Sequence, residues 1–356
     1  MRSETEIEKG GPPPKETFVP EPPEDRSQLL GRPGSCVAWV RDGIAWVRLD
    51  RPSKRNALNV ETWQAIGEIG SRLVDSPEVR VAVVYGEGPT FCAGLDLSSM
   101  ATMVSGVQGT QGAQSTHSAR GAQATQPGQA SGLPSSASES DGGAKNSSPL
   151  PTRGGAESAG IAEGIAERIA SLQQSFAWLI DIPVPTVAAV RGHALGAGFQ
   201  LALCCDIVLA EEGTVFGMLE TNYGLVPDMG GTGRLVRSAG LAKAKYLTLT
   251  GKRISAEEAA SAGLVAAVVP SGTVLIRAQE MASELAMRSR TALAEAKRLL
   301  ESAFVSDQAD SFRAEASAQA RCITSPDFAK AVAAQFSRRA ADPERDSKAG
   351  PAEPSS

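Results

Sequence analysis

The chain has 356 residues, is 42% hydrophobic and carries a net charge of −5, enough apolar material for one large α/β domain or two moderate ones. The acidic balance and an aromatic content of 4% argue against a nucleic-acid surface. Five cysteines without a CxxC pair and only two histidines leave no metal-ligand spacing and point to a reducing compartment.

Residues 1–35 are rich in proline and charge and predict a disordered tail. Glu4, Glu6 and Glu8 without an apolar run fit neither a signal nor a transit peptide. No apolar stretch is long enough to span a membrane, so a cytoplasmic location is expected. A hairpin follows, Cys36–Val40 and Ile44–Leu49 about an Arg41-Asp42-Gly43 turn, and Pro52 stops the second strand. Asn59 caps a predicted helix to about Asp75, with Trp63, Ile66, Ile69 and Leu73 on one face. Val79–Tyr85 reads as a buried strand feeding the loop GEGPTFCAGLDLSSM.

Residues 103–157 are Gly-, Gln-, Ser-, Ala- and Thr-rich and cannot offset their own ordering entropy, so they predict a disordered insertion. Helical spacing returns over Ser158–Asp181 and is ended by Pro183 and Pro185. Beyond residue 210, a helix after Gly230 and another near Leu241–Leu249 are expected. Ser255 with Glu258 then makes a capping box, closed by Gly263, and Leu264–Val269 predicts a strand. Helices around 272–288, 290–306, 309–322 and 326–340 complete an α/β domain with a helical extension, and residues 341–356 form a second tail.

The stretch from Val190 to Ala210, VRGHALGAGFQLALCCDIVLA, holds the chemistry. A short apolar strand passes through Gly192, Gly196 and Gly198 into a fully apolar helix from Phe199 to Cys205. The helix start leaves main-chain N–H groups unpaired at the positive end of its dipole, suited to a developing negative oxygen. The same residues also suit a plain strand–turn–helix junction in a core.

The sequence resembles the enoyl-CoA hydratase/isomerase (crotonase) superfamily in RPSKRNALN at 51–59, GPTFCAGLDLSSM at 88–100, the 190–210 stretch and FGMLETNYGLVPDMGGTGRL at 216–235. A weaker match is LTGKRISAEEAASAGLVAAVVP at 249–270. The resemblance implies a spiral of ββα units with C-terminal helices that build trimers or dimers of trimers. It implies an acyl-CoA thioester substrate, with no cofactor beyond the coenzyme A of that substrate. It places an oxyanion hole on the main-chain N–H groups of Leu95 and Ala197, and coenzyme A along Lys54, Arg55, Asn56, Ala57, Ala93, Asp96 and Leu97.

Hydratases of this family use two glutamates to hold one water. By the resemblance these positions fall on Gln200, which cannot titrate, and on Glu220. Asp228 matches a third acidic position used by the dienoyl-CoA isomerase branch. Proton transfer between carbons needs a base and an oxyanion hole but no activated water. Glu220 with Asp228 therefore favours a double-bond isomerase of the Δ3–Δ2 or 3,5-dienoyl type. The alternatives are an enoyl-CoA hydratase of fatty-acid β-oxidation, another reaction on the same enolate, and a non-catalytic acyl-CoA- or RNA-binding relative. Asp228 could equally cap the following helix, Gln200 could serve a buried backbone group, and His193 and Asp206 read as structural.

Overall fold

A computed structural model describes residues 21–25, 28–96, 98 and 155–341, without the side chains of 155–159, 161 and 334–341. The expectations for residues 1–20 and 342–356, and for the insertion up to residue 154, lie outside the described residues. The chain divides into two units, residues 97–170 and the remainder. Among the described residues the first holds Ser98 and the opening of helix α2 (Gly155–Asp181); everything below concerns the second.

The hairpin forms as expected from β2 (Cys36–Arg41) and β3 (Ile44–Leu49), paired in register from Cys36–Leu49 to Arg41–Ile44. Asp42 and Gly43 both take positive φ, 53° and 76°, the backbone that matches a tight turn to the twist of its strands. Strand structure begins earlier than residue 36, however. β1 (Leu30–Arg32) lies antiparallel on β2, held by ladder hydrogen bonds with little burial, which a hydropathy pattern does not register.

Helix α1 (Val60–Val74) carries the chain to β4 (Val81–Gly86), parallel to β3. Asn59 caps α1 by accepting the Thr62 N–H. All six residues of β4 are buried because the strand is covered on both faces. β5 (Thr186–Val190), β7 (Ile207–Glu211) and β10 (Ala267–Val269) extend a seven-stranded sheet in the order β1-β2-β3-β4-β5-β7-β10. A three-stranded sheet is built from β6 (His193–Leu195), β8 (Val215–Gly217) and β9 (Arg253–Ser255).

The two sheets alternate along the chain. β5 in the large sheet is followed by β6 in the small one and helix α3 (Ala197–Cys204); β7 and β8 repeat the step into α4 (Gly231–Thr250). Each turn of this ββα spiral delivers a strand-to-helix junction at one end of the sheets. Ser255 and Glu258 form the reciprocal capping box of α5 (Ala256–Ser261).

Several boundaries depart from expectation: β4 begins at Val81 and not Val79, α3 begins at Ala197 and not Phe199, and α2 begins at Gly155 and not Ser158. The helices after Gly230 and near Leu241 run on as one element broken at Gly240, whose φ 76° and ψ 158° are not helical. The strand expected from Leu264 pairs only over Ala267–Val269: the Leu264 N–H turns back to the Ala259 carbonyl after Gly263 (φ 76°).

Four helices close the chain: α6 (Val274–Ala286), α7 (Arg290–Ser302), α8 (Gln308–Ile323) and α9 (Pro326–Ala341). Val274, Leu275, Ala278 and Ala282 of α6 pack with Trp39, Trp46, Val83, Tyr85, Val187 and Leu209. Burial of an aromatic ring such as Trp39 contributes about 4 kcal/mol, more than the roughly 1–3 kcal/mol that an indole N–H without a partner among the described residues costs. By contrast α7 has no fully buried residue, and Leu300, Phe304, Val305, Phe312, Ile323 and Phe328 stand exposed. No helix among the described residues is long and apolar enough to cross a membrane.

Candidate active site

Two loops at the ends of β3 and β4 are joined by main-chain hydrogen bonds. Ala93 N–H donates to the Arg55 carbonyl, Leu58 N–H to Gly94 and Asp96 N–H to Leu58. In such a parallel bridge the flanking groups face the partner strand, so the N–H of Leu95 itself points away from Leu58. Gly94 has φ +99°, and a Cβ there would stand 2.7 Å from the Leu195 carbonyl oxygen and 3.8 Å from Ala197 N. The Leu95 amide is thus delivered beside the opening of α3.

That opening is set by Gly196, with φ 51° and ψ −123°. Its N–H donates to Gly217 of β8, and its carbonyl accepts from Phe199 and Gln200. Ala197 follows as the first helical residue with no positive φ, so its methyl brings no backbone strain. Its N–H belongs to the helix's unpaired first turn. All eight residues of α3 are buried, which keeps this dipole out of water.

Glu220 begins a single 3-10 turn, Glu220–Tyr223, directly across from Gly196: a Cβ on that glycine would lie 3.4 Å from Glu220 Oε1. Gln200 Nε2, one turn into α3, donates to the same oxygen at 2.7 Å. Gln200 Oε1 accepts from Met229 N at 2.8 Å and Gly231 N at 3.2 Å. Because main-chain N–H groups only donate, this fixes which end of the Gln200 amide is oxygen.

Glu220 Oε2 is buried and has no hydrogen-bond partner among the described residues. Burial pushes the Glu220 carboxyl above its ordinary range. Its main-chain hydrogen bond and that from Gln200 oppose the shift, while the charge of Asp228 adds to it. Asp228, half-buried in the segment before α4, is itself raised by desolvation. It does not cap α4, whose N-cap is Gly230 without a side-chain bond.

The sequence model of the family described as enoyl-CoA hydratase/isomerase matches residues 40–122 and 158–343. The chain belongs to the enoyl-CoA hydratase/isomerase family. It is 32% identical to the 2,3-dehydroadipyl-CoA hydratase of Escherichia coli K12 over 72% of this chain and 78% of that one. The solved structure of an enoyl-CoA hydratase from Polaromonas sp. JS666 matches with a TM-score of 0.65, at 28% identity over 85% of this chain and 97% of that one. A Thermobifida fusca YX structure in complex with CoA matches with a TM-score of 0.61, at 31% identity over 82% and 93%.

Within this crotonase fold, the structure brings Leu95, Ala197, Gln200, Glu220 and Asp228 to one end of the spiral. The residues expected along coenzyme A differ in exposure. Lys54 and Arg55 are exposed, and Ala57 and Ala93 are half-buried on the joined loops. Asn56, with 1% exposure, has its side chain engaged in holding the loops. Its Oδ1 accepts from Arg51 N at 2.9 Å, and its Nδ2 donates to the carbonyls of Glu87 and Thr90 at 2.9 and 2.6 Å.

The Asp96 carboxylate is likewise engaged, 3.0 Å from the Arg51 guanidinium. Leu97 lies outside the described residues. Arg51 is the organiser that the sequence reading missed: it also donates to the Ala57 carbonyl, so one guanidinium ties both loops. Its sequence context, Arg51-Pro52, signals only the end of a strand.

Asp206 holds the start of β5, accepting from Thr186 N at 2.7 Å and Thr186 Oγ1 at 2.9 Å, and it pairs with Lys297 of α7. His193 lies in the small sheet, half-buried. Burial pushes the thiols of Cys92 and Cys204 up to about 12, which leaves them as small apolar groups, poor nucleophiles.

Proposed function

We propose that this protein acts on acyl-CoA thioesters and moves a carbon–carbon double bond in an enoyl or dienoyl chain. The observation that carries this reading is the single buried carboxylate of Glu220 beside the Gly196 turn, faced at residue 200 by an amide where a second titrating group would be needed to share a water. The N–H groups of Leu95 and Ala197 would hold the thioester oxygen, each such donor being worth about 3 kcal/mol in a transition state. Glu220 would remove a proton from the carbon next to the thioester, and the electrons would move into a dienolate held by those donors. Return of the proton to the far end of the dienolate completes the shift, with Asp228 as a second proton-holding group. The transfer uses no cofactor beyond the coenzyme A of the substrate.

A second reading is enoyl-CoA hydration, favoured by the hydratases among the relatives. It would require Asp228 or a water chain to do what Gln200 cannot. Incubating 2-enoyl- and 3-enoyl-CoA in deuterated water and following products by mass spectrometry separates the two. A shifted alkene carrying deuterium supports the isomerase, and a 3-hydroxyacyl product formed at a comparable rate replaces it with the hydratase.

The apolar residues exposed on α7 and α8 support self-association as a trimer or dimer of trimers. Light scattering on the purified chain tests that assembly, and a monomer at micromolar concentration would refute it.

A further inference from the structure

We infer that Gln200 is a positioning residue that decides which oxygen of Glu220 carries the proton: Oε1 is tied down and Oε2 makes the transfer. This rests on the reading of Glu220 as the base. Gln200 is fully buried, and its side chain is clamped between α3 and the start of α4, where a Cβ on Gly231 would come within 2.5 Å of Gln200 Cγ. The N–H groups of Met229 and Gly231 converge on its Oε1. Flipping the amide would set donors against donors there and lose the bond to Glu220, so one orientation is retained.

In that orientation Nε2 donates to Glu220 Oε1 at 2.7 Å, beside Gly196, where an added Cβ would lie 3.4 Å from the same oxygen. The bond from Gln200 thus engages one oxygen of the carboxylate at a time. Oε2, buried and unpartnered among the described residues, is the atom left for the substrate. Among the described residues, Asp228 is the charged neighbour that acts on Glu220, and α3 offers the neutral Gln200.

The test is exchange of the α-protons of butyryl-CoA in deuterated water across pH, which needs the base and the oxyanion hole but not any one product. The full-length wild type is compared with Gln200→Met and Gln200→Glu. Gln200→Met should retain affinity for butyryl-CoA, exchange about 100-fold more slowly at its plateau, and have its acid limb moved to higher pH. Gln200→Glu retains an acceptor for Met229 and Gly231 but can donate to Oε1 only while it holds a proton. Its exchange rate should therefore fall as pH rises, along an alkaline limb that the wild type lacks.

The isosteric variant decides the matter if Gln200→Met does not fold. Wild-type rates and profiles in both variants, or a loss of thermal stability alone, would overturn the proposal. A wild type that exchanges α-protons without shifting a double bond removes the isomerase reading and leaves the positioning role standing. A wild type that does not exchange overturns both.

Discussion

Gly94 sits so close to Leu195 that a methyl group added to it would stand 2.7 Å from the Leu195 carbonyl oxygen. Both the contact and φ +99° require glycine, and the next amide in the chain is that of Leu95. Gly94→Ala should therefore destabilise the fold by about 1–3 kcal/mol in urea denaturation. It should also slow α-proton exchange about 100-fold, because the Leu95 N–H moves away from Ala197. Unchanged turnover in a folded variant would show that this amide does not serve the substrate.

Glu220→Gln should abolish most exchange, about 100- to 10,000-fold, with acyl-CoA affinity retained. Calorimetric titration with butyryl-CoA beside the exchange assay checks the split. A variant that binds and still exchanges would remove Glu220 from the role of base.

The two raised carboxyls have a sign that stability measurements can read. An acid whose folded pKa lies above its unfolded one binds its proton more tightly when folded, so stability falls as pH rises from the unfolded towards the folded value. Glu220→Gln and Asp228→Asn should thus each raise the melting temperature at pH 7–8, with the gain vanishing near pH 3. Asp228→Asn also removes a like charge from beside Glu220, so the acid limb of kcat/KM should shift to lower pH. A limb that stays in place would mean that the two groups titrate independently.

Lys297 of α7 reaches into the fold, 2.9 Å from Asp206 and 2.8 and 3.2 Å from the carbonyls of Leu179 and Val184. Lys297→Met leaves the carboxylate uncompensated in a largely buried site and should cost about 3 kcal/mol in urea denaturation. Asp206 still accepts from Thr186, so the double variant with Asp206→Asn should recover part of the loss.

Asn56→Ala strips partners from the Glu87 and Thr90 carbonyls and from the Arg51 N–H, at a position with φ 53°. The expected cost is about 2–3 kcal/mol, with a raised KM for acyl-CoA because both loops loosen. A raised KM without loss of stability would instead indicate direct contact between Asn56 and the coenzyme.

Much of this molecule was legible in one dimension because its signals are local. The Asp42-Gly43 turn, the Asn59 cap and the Ser255–Glu258 box each involve groups a few residues apart and form where the sequence places them, and the β-branched run of β4 forms within two residues of its expected bounds. The Gly-rich passage into α3 declared a junction, and the match in residue types around Glu220 and Gln200 declared the family.

Only the tertiary structure could show that Gln200 holds Glu220, that Asn56 turns inward, and that Arg51 joins two loops. These are bonds between residues 20 to 45 positions apart or between a side chain and distant main chain, and no periodicity records them. Residue type states what a group can donate or accept. The direction in which it does so, and hence which oxygen of a carboxylate is left for chemistry, is settled by what packs around it.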